Sequence, residues 1–362
     1  MPEPKGSNSS STDISRIAVS LKWLRIALYT IFAVFGQTSA LILSRLYYQK
    51  GGTSNWLESI TQVAGFPFLL PYYFSQCTRA TTTASSNSDD AVVEPKLSSR
   101  IFVYVYLGLL MAANSFLYSI GYEYVPVSTI SLISASQLAF NALFSYFLNS
   151  QKFTPFIINS LVLLTISSVL TVSNNSTVEL YGISNGDYAY GFISTFSATA
   201  VYGLMLASQQ LVFRKVFDNQ HSLKLVMDLT IYPSFVASIV TVIGFFVLGD
   251  YKLISPEMDS YGLGKTSYVM TLVWTAVCWQ VSIFAGLGLV SELSALFANC
   301  IFAFGVPVNT AAAVFMFDEE MNSVKAVSMV LAIWGIFSYA YQQHLDDRGD
   351  ETKGSESEVP EV

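Results

Sequence analysis

Charged residues fall in short polar islands separated by long apolar runs, and the runs recur with the length of a membrane span. A helix rises about 1.5 Å per residue, so about 20 uncharged residues are needed to cross the hydrocarbon of a bilayer. Ten intervals between successive charges reach that range: 26–44, 59–78, 101–122, 124–151, 153–178, 188–213, 229–249, 266–291, 293–317 and 326–345. They hold 19, 20, 22, 28, 26, 26, 21, 26, 25 and 20 residues and are rich in Leu, Ile, Val, Phe and Ala. A transmembrane β-barrel would instead show strands of about 10 residues in strict alternation. Runs such as Ile157 to Ile166 have no such alternation. The pattern predicts an all-α membrane protein with ten transmembrane helices.

Orientation follows from the basic residues, which concentrate on the cytosolic side of membrane proteins. With alternating spans and the N-terminus inside, 13 of the 18 Lys and Arg lie in the cytosol, leaving Arg45, Lys50, Lys252, Lys265 and Lys325 outside. An even number of spans then puts both termini in the cytosol. The first 20 residues are polar and Ser-rich and lack an apolar core before a small-residue cleavage site, so no removable signal peptide is expected. The organisation read from this is a disordered cytosolic segment 1–22, a ten-helix domain 23–345, and an acidic disordered cytosolic tail 346–362. Residues 79–100, rich in Thr, Ser, Asn and Asp, read as a flexible cytosolic connection. Asn174-Asn175-Ser176-Thr177 holds two overlapping glycosylation sequons in an outward loop.

Composition agrees with a bilayer as solvent. The chain is 52% hydrophobic and 12% charged, with a mean hydropathy of +0.48, whereas a soluble domain carries about 25% charged residues. The net charge of −7 is mostly local, because the tail 346–362 holds seven acids against Arg348 and Lys353. It gives no reason to expect a nucleic-acid partner. Two histidines, His221 and His344, and three separated cysteines, Cys77, Cys278 and Cys300, rule out a His/Cys metal site, a Ser-His-Asp triad and a disulfide framework. No cofactor is expected, and a polytopic enzyme would need catalytic acids or histidines that the spans lack.

The chemistry inside the spans is that of neutral amides. Gln37, Gln62, Asn114, Gln137, Asn141, Asn159, Gln209, Gln210, Gln280, Asn299 and Asn309 all lie within apolar runs. An unsatisfied amide costs several kcal/mol in hydrocarbon, so each must face another helix or a watery cavity. An interhelical hydrogen bond accounts for any single one. As a set they outnumber what packing needs, and they offer donors and acceptors without charge, which suits a neutral, polar, planar ligand. Tyr202, Trp274 and Trp279 are mid-span aromatics that can stack on such a ring. Ionisable groups near the spans are candidates for proton coupling. Glu292 separates spans eight and nine and Asp228 begins span seven, but neither is mid-span and no buried relay carboxylate is apparent.

Helix breakers mark the places where spans bend: Pro67 and Pro71 in span two, Pro126 before span four, and Pro307 in span nine. An offset of 168 superposes Asn141 on Asn309 and Phe147 on Phe315. Five spans per half, about 23–178 and 188–345, would form inverted repeats, since an odd number reverses the second half. A central site would then lie between spans one to four and six to nine.

The run from Tyr124 to Pro155, YVPVSTISLISASQLAFNALFSYFLNSQKFTP, resembles the plant purine permeases, a family of the drug/metabolite transporter superfamily. RLYYQKGG at 45–52, AGFP at 64–67, GKTSYVMTLVWTAVCWQ at 264–280 and LAIWG at 331–335 match it too, so the likeness spans residues 23 to 344. The resemblance implies ten helices in two inverted five-helix repeats and proton-coupled uptake of adenine, cytokinins and related N-heterocycles, with alkaloids carried by some members. One departure stands out: where family members often carry an Asp-Asn pair in the third span, this chain has Ala113-Asn114. That favours a neutral ligand and turns attention to Glu292 as the proton carrier.

The resulting expectation is a secondary active transporter that imports purine bases, cytokinins or related heterocycles across the plasma membrane, with protons as the second partner. Its binding residues would be Gln37, Asn114, Gln137, Asn141, Tyr202, Trp274, Gln280 and Asn299, with Glu292 and Asp228 as proton-coupling candidates. The alternatives are an importer of alkaloids or vitamin-like heterocycles, and an exchanger of nucleotide sugars or sugar phosphates. The exchanger would need mid-span Lys or Arg to hold phosphate, and none falls within the ten runs.

Overall fold

The computed structural model describes residues 8–75, 96–150, 154–172, 184–217, 223–293, 295–318 and 321–356. Among these residues there is no strand. The helices are α1 Asn8–Gln49, α2 Asn55–Val63, α3 Leu97–Tyr124, α4 Val127–Ala135, α5 Gln137–Asn149, α6 Pro155–Val172, α7 Asn185–Lys215, α8 Leu223–Leu248, α9 Ile254–Ser260, α10 Lys265–Glu292, α11 Ala295–Phe317 and α12 Ser323–Glu356. Among the described residues six stretches are long and apolar enough to cross a membrane: Ser20–Gln49, Leu97–Tyr124, Val127–Asn149, Asn185–Lys215, Leu223–Leu248 and Lys265–Glu292. The other four apolar intervals fall on α6, α11, α12 and a broken segment made of α2, a 3-10 turn at Phe66–Leu69 and helical residues 70–75.

Helix also runs into both polar ends, from Asn8 and as far as Glu356. Counting uncharged residues bounds the apolar part of a helix, and polar turns can continue its hydrogen-bond ladder beyond that part. The connection up to residue 95 and the sequons at 174–177 lie outside the described residues.

The breaks in spans two and four have local causes. Pro67 lacks an N–H and disfavours helical geometry in the residue before it, so α2 ends and a 3-10 turn follows. Gly65 sits at that end with no room for a side chain, since a Cβ there would lie 2.2 Å from the Ala276 carbonyl oxygen of α10. Between α4 and α5, the Ser136 N–H donates to the Ile133 carbonyl at 3.0 Å, and its hydroxyl donates to the same oxygen. A side chain competing for a ladder acceptor bends a helix, and the bend falls immediately before Gln137.

The bundle is apolar outside and polar within. Phe315 is 84% exposed and Phe102 71%, while Asn141, Ser131, Thr195 and Thr310 are fully buried. Water would penalise that surface, whereas lipid accepts it and penalises polar groups instead. Many buried hydroxyls are satisfied by their own helices: Thr195 donates to Gly191 at 2.8 Å, Thr230 to Val226 at 2.7 Å and Thr275 to Thr271 at 2.6 Å, all backbone carbonyls one turn back.

Helix bounds recur at a spacing of 168. α2 begins at Asn55 and α8 at Leu223; α3 runs Leu97–Tyr124 and α10 Lys265–Glu292; α4 begins at Val127 and α11 at Ala295; α6 begins at Pro155 and α12 at Ser323. Among the described residues the non-glycine positions with positive φ are Ser150 (55°) and Asp318 (51°), which form another such pair after α5 and α11. The packing follows the same rule. α1 lies along α10 as α3 lies along α7, α8 packs on α3 as α2 packs on α10, and α6 meets its counterpart α12 directly.

One buried carboxylate fastens the connections at one end of the bundle. Glu257 of α9 accepts the Tyr47 hydroxyl at 2.8 Å and the Tyr268 hydroxyl at 3.0 Å. Its other oxygen accepts the Thr53 N–H at 3.0 Å and the Thr53 hydroxyl at 2.6 Å. Gly262 N–H donates to the Lys50 carbonyl at 2.9 Å beside it. The α1–α2 turn is thereby tied to the α8–α10 connection. Glu257→Ala leaves two buried tyrosyl donors and a backbone N–H without an acceptor, an expected loss of at least about 2 kcal/mol. Thermal unfolding in detergent should place its Tm below those of the wild type and of Glu257→Gln.

Candidate functional site

A cavity lies between α1, α3, α7 and α10, with α2, α4, α5 and α11 at its margins. Each wall is one face of a helix. α3 contributes Met111, Asn114, Ser115, Tyr118 and Tyr122, and α10 contributes Trp279, Ser282, Ile283 and Gly286, both at the three- and four-residue spacing of a helical stripe. α1 adds Gln37 and Leu41, α2 adds Gln62 and Val63, and α7 adds Tyr202, Met205, Leu206 and Gln209. A smaller recess shares Gln37, Leu41, Ser134, Gln137 and Phe302 and extends the space toward Asn309.

The lining residues also pair at the spacing of 168. Gln37 and Met205, Leu41 and Gln209, Met111 and Trp279, Asn114 and Ser282, Ser115 and Ile283, Tyr118 and Gly286, and Ser134 and Phe302 all face the same space. The two halves build walls of the same geometry and different chemistry. The first half presents amides and a phenol where the second presents Met205, Ser282 and Gly286.

Four of the sequence-predicted binding residues line the cavity: Gln37, Asn114, Gln137 and Tyr202. Gln37 Oε1 and Asn114 Oδ1 are buried with no protein partner, which leaves two acceptors in the cavity lining. Gln137 is held from behind. Its Nε2 donates to Asn299 Oδ1, and Asn299 Nδ2 donates to the Gln137 carbonyl at 3.5 Å. Asn299 is therefore a support for the lining and does not itself line the cavity. Asn141 is fully buried beside Gly203 of α7, where Ser145 donates to it at 3.4 Å. Gln280 faces α2 near Gly65, with both amide atoms unpartnered. Trp274 is 55% exposed on the outer surface of α10.

Helix phase explains these placements. Neighbouring residues on a helix point about 100° apart; Trp279 faces the cavity, and Gln280 is turned toward Gly65. Residues 274 and 279 point about 140° apart by the same geometry, which turns Trp274 toward the outer surface. The stripe through Trp279, Ser282, Ile283 and Gly286 is the signal that identifies the inward face. Ala113 is exposed while Asn114 faces the cavity, so the departure from the Asp-Asn pair does not alter the lining itself.

Neither proton-coupling candidate touches the cavity. Glu292 forms an ion pair with Arg25 at 3.3 Å where the end of α10 meets α1. Asp228 accepts the Tyr73 hydroxyl at 2.7 Å beside helical residues 70–75. A different acid lies close by. Glu58 is fully buried in α2, accepts the Thr61 hydroxyl at 2.8 Å, and receives Gln62 Nε2 at 3.5 Å. In the sequence it marks the edge of an apolar interval and so reads as an interfacial charge; in the fold α2 begins three residues earlier and takes it inside.

Comparison with known proteins places the chain in a family. A family model described as purine nucleobase transmembrane transport matches residues 24–349. The chain is 52% identical over 341 residues to the Arabidopsis thaliana protein named probable purine permease 10, covering 94% of this chain and 86% of that one. It is 50% identical over 340 residues to purine permease 21 of the same plant, with the same coverage, and 44% identical over 327 residues to probable purine permease 22, covering 90% and 86%. These relatives are named as permeases and not as enzymes. With a family model covering most of its length and relatives at half identity, the chain belongs to the purine permease family.

Proposed function

We propose that this protein is a proton-coupled secondary transporter that imports purine bases, cytokinins or closely related N-heterocycles across the plasma membrane. The observation that carries the reading is the cavity itself, where unpartnered amide oxygens from Gln37 and Asn114 share one space with the aromatic faces of Tyr118, Tyr202 and Trp279. A purine ring offers flat faces to stack and an edge of donors and acceptors to bind, and neutral amides read that edge without holding a counter-ion. The names of the relatives, purine permeases, point to the same ligand class. The lining carries no Lys or Arg, which argues against a phosphate-bearing cargo.

The architecture in this reading is ten helices in two inverted five-helix repeats with both termini in the cytosol. The spacing of 168 supports it, because it relates helix starts, left-handed residues, packing partners and seven pairs of cavity residues. A site lying on the axis between inverted halves can be opened to either side by rocking one half against the other.

Cells expressing the chain should take up labelled adenine faster at acidic than at neutral external pH, and a protonophore should abolish the difference. Uptake with no pH dependence would remove proton coupling, and uptake without competition from unlabelled cytokinins or adenine would remove the ligand class. Trp279→Ala should weaken the apparent affinity for every ring system by roughly tenfold, the scale of a lost aromatic stack. Trp274→Ala should leave it unchanged. Gln137→Ala should alter the ranking among heterocycles with different edges, read from competition curves.

A further inference from the structure

We infer that Glu58 is the residue that carries the coupled proton, and that Gln62 transmits its protonation state to the ligand cavity. This rests on the proton-coupled reading above. Glu58 has no accessible surface, and among the described residues it forms no ion pair. Its hydrogen-bond partners are the Thr61 hydroxyl at 2.8 Å and Gln62 Nε2 at 3.5 Å, with the Ser44 hydroxyl nearby. An unpaired carboxylate taken out of water is costly, and hydroxyls and an amide offset that cost only in part. The positive end of the α2 dipole lowers it further, since Glu58 stands in the first turn of that helix. The two influences oppose each other, which leaves a carboxyl able to gain and lose a proton during a transport cycle.

Two routes connect this carboxyl to the ligand. Gln62 lines the cavity and divides its amide between Glu58 and the Ser115 carbonyl at 3.1 Å. A proton on Glu58 turns an acceptor into a donor, and Gln62 meets the change by turning its carbonyl toward the acid, so its amide presents a different edge to the ligand. On the second route, Ser44 lies between Glu58 and the Trp279 indole, whose N–H donates to the serine at 3.4 Å. The ionisable neighbours are the phenols of Tyr48 on α1 and Tyr122 on α3. α8 and α10 bring no ionisable group into its hydrogen-bond shell. Glu123 and Glu257 are near Tyr48 and are not hydrogen-bonded to Glu58. The position 168 residues on is Val226, also buried, so one half alone supplies the acid and the cavity has a single carrier at this position. The proton enters from the outer solution onto the carboxylate, crosses with the ligand, and leaves to the cytosol.

The test uses the full chain in cells, with labelled adenine as the probe. Glu58→Gln should lose acid stimulation and protonophore sensitivity of uptake while retaining exchange of external for internal adenine without a gradient, which reports an intact site. Glu58→Asp should keep a pH-dependent profile with a shifted midpoint. A Glu58→Gln protein with the wild-type pH profile and protonophore sensitivity would overturn the assignment, leaving proton coupling itself in place. If Glu58→Gln fails to reach the surface, Glu58→Asp decides, and an unshifted midpoint overturns the assignment. Wild-type uptake that ignores pH would instead overturn the proton-coupled reading and this inference with it.

Discussion

Hydrocarbon offers no hydrogen-bond partner, and the interior of this protein is arranged around that constraint. The backbone meets it by folding as helix over most of the described residues, and many Ser and Thr hydroxyls meet it by donating to carbonyls one turn back on their own helices. Amides are too large and have too many donors and acceptors for that local solution. They pair across helices, as Gln137 does with Asn299, or they line the cavity, as Gln37 and Asn114 do. Of the buried side chains that the fold leaves with an unpartnered atom, Gln37 and Asn114 are the two that line the cavity.

The same constraint accounts for the division of labour between the halves. Matched helix bounds bring equivalent residues to the same space, which makes a central cavity a geometric consequence of the repeat. The chemistry then departs from symmetry residue by residue. Trp279 stands opposite Met111, Asn114 opposite Ser282, and Glu58 is matched by Val226.

Much of this was legible in the chain. The amides that matter were visible as polar residues in apolar runs, and Gln37, Asn114, Gln137 and Tyr202 do converge on one cavity. The others illustrate what periodicity alone leaves open. Asn141 and Gln280 are as polar and as central in sequence, but their helix phase turns them toward neighbouring helices. Trp274 is as aromatic as Trp279 and faces outward. Glu58 stands at the edge of an apolar run in the sequence, and the helix that takes it inside begins three residues earlier, where no charge pattern marks it.

By itself, the sequence determined the solvent, the helical class and the apolar intervals, because these depend on composition and spacing along one dimension. It also determined the family, through motifs spread over nearly the whole chain. Tertiary structure decided which face of each helix looks inward, which amides find partners, and that Glu58 is enclosed beside the cavity. Those outcomes depend on the rotation of each helix against its neighbours. That rotation is set by packing between residues far apart in the chain, such as Gly65 against Ala276, and no local pattern specifies it.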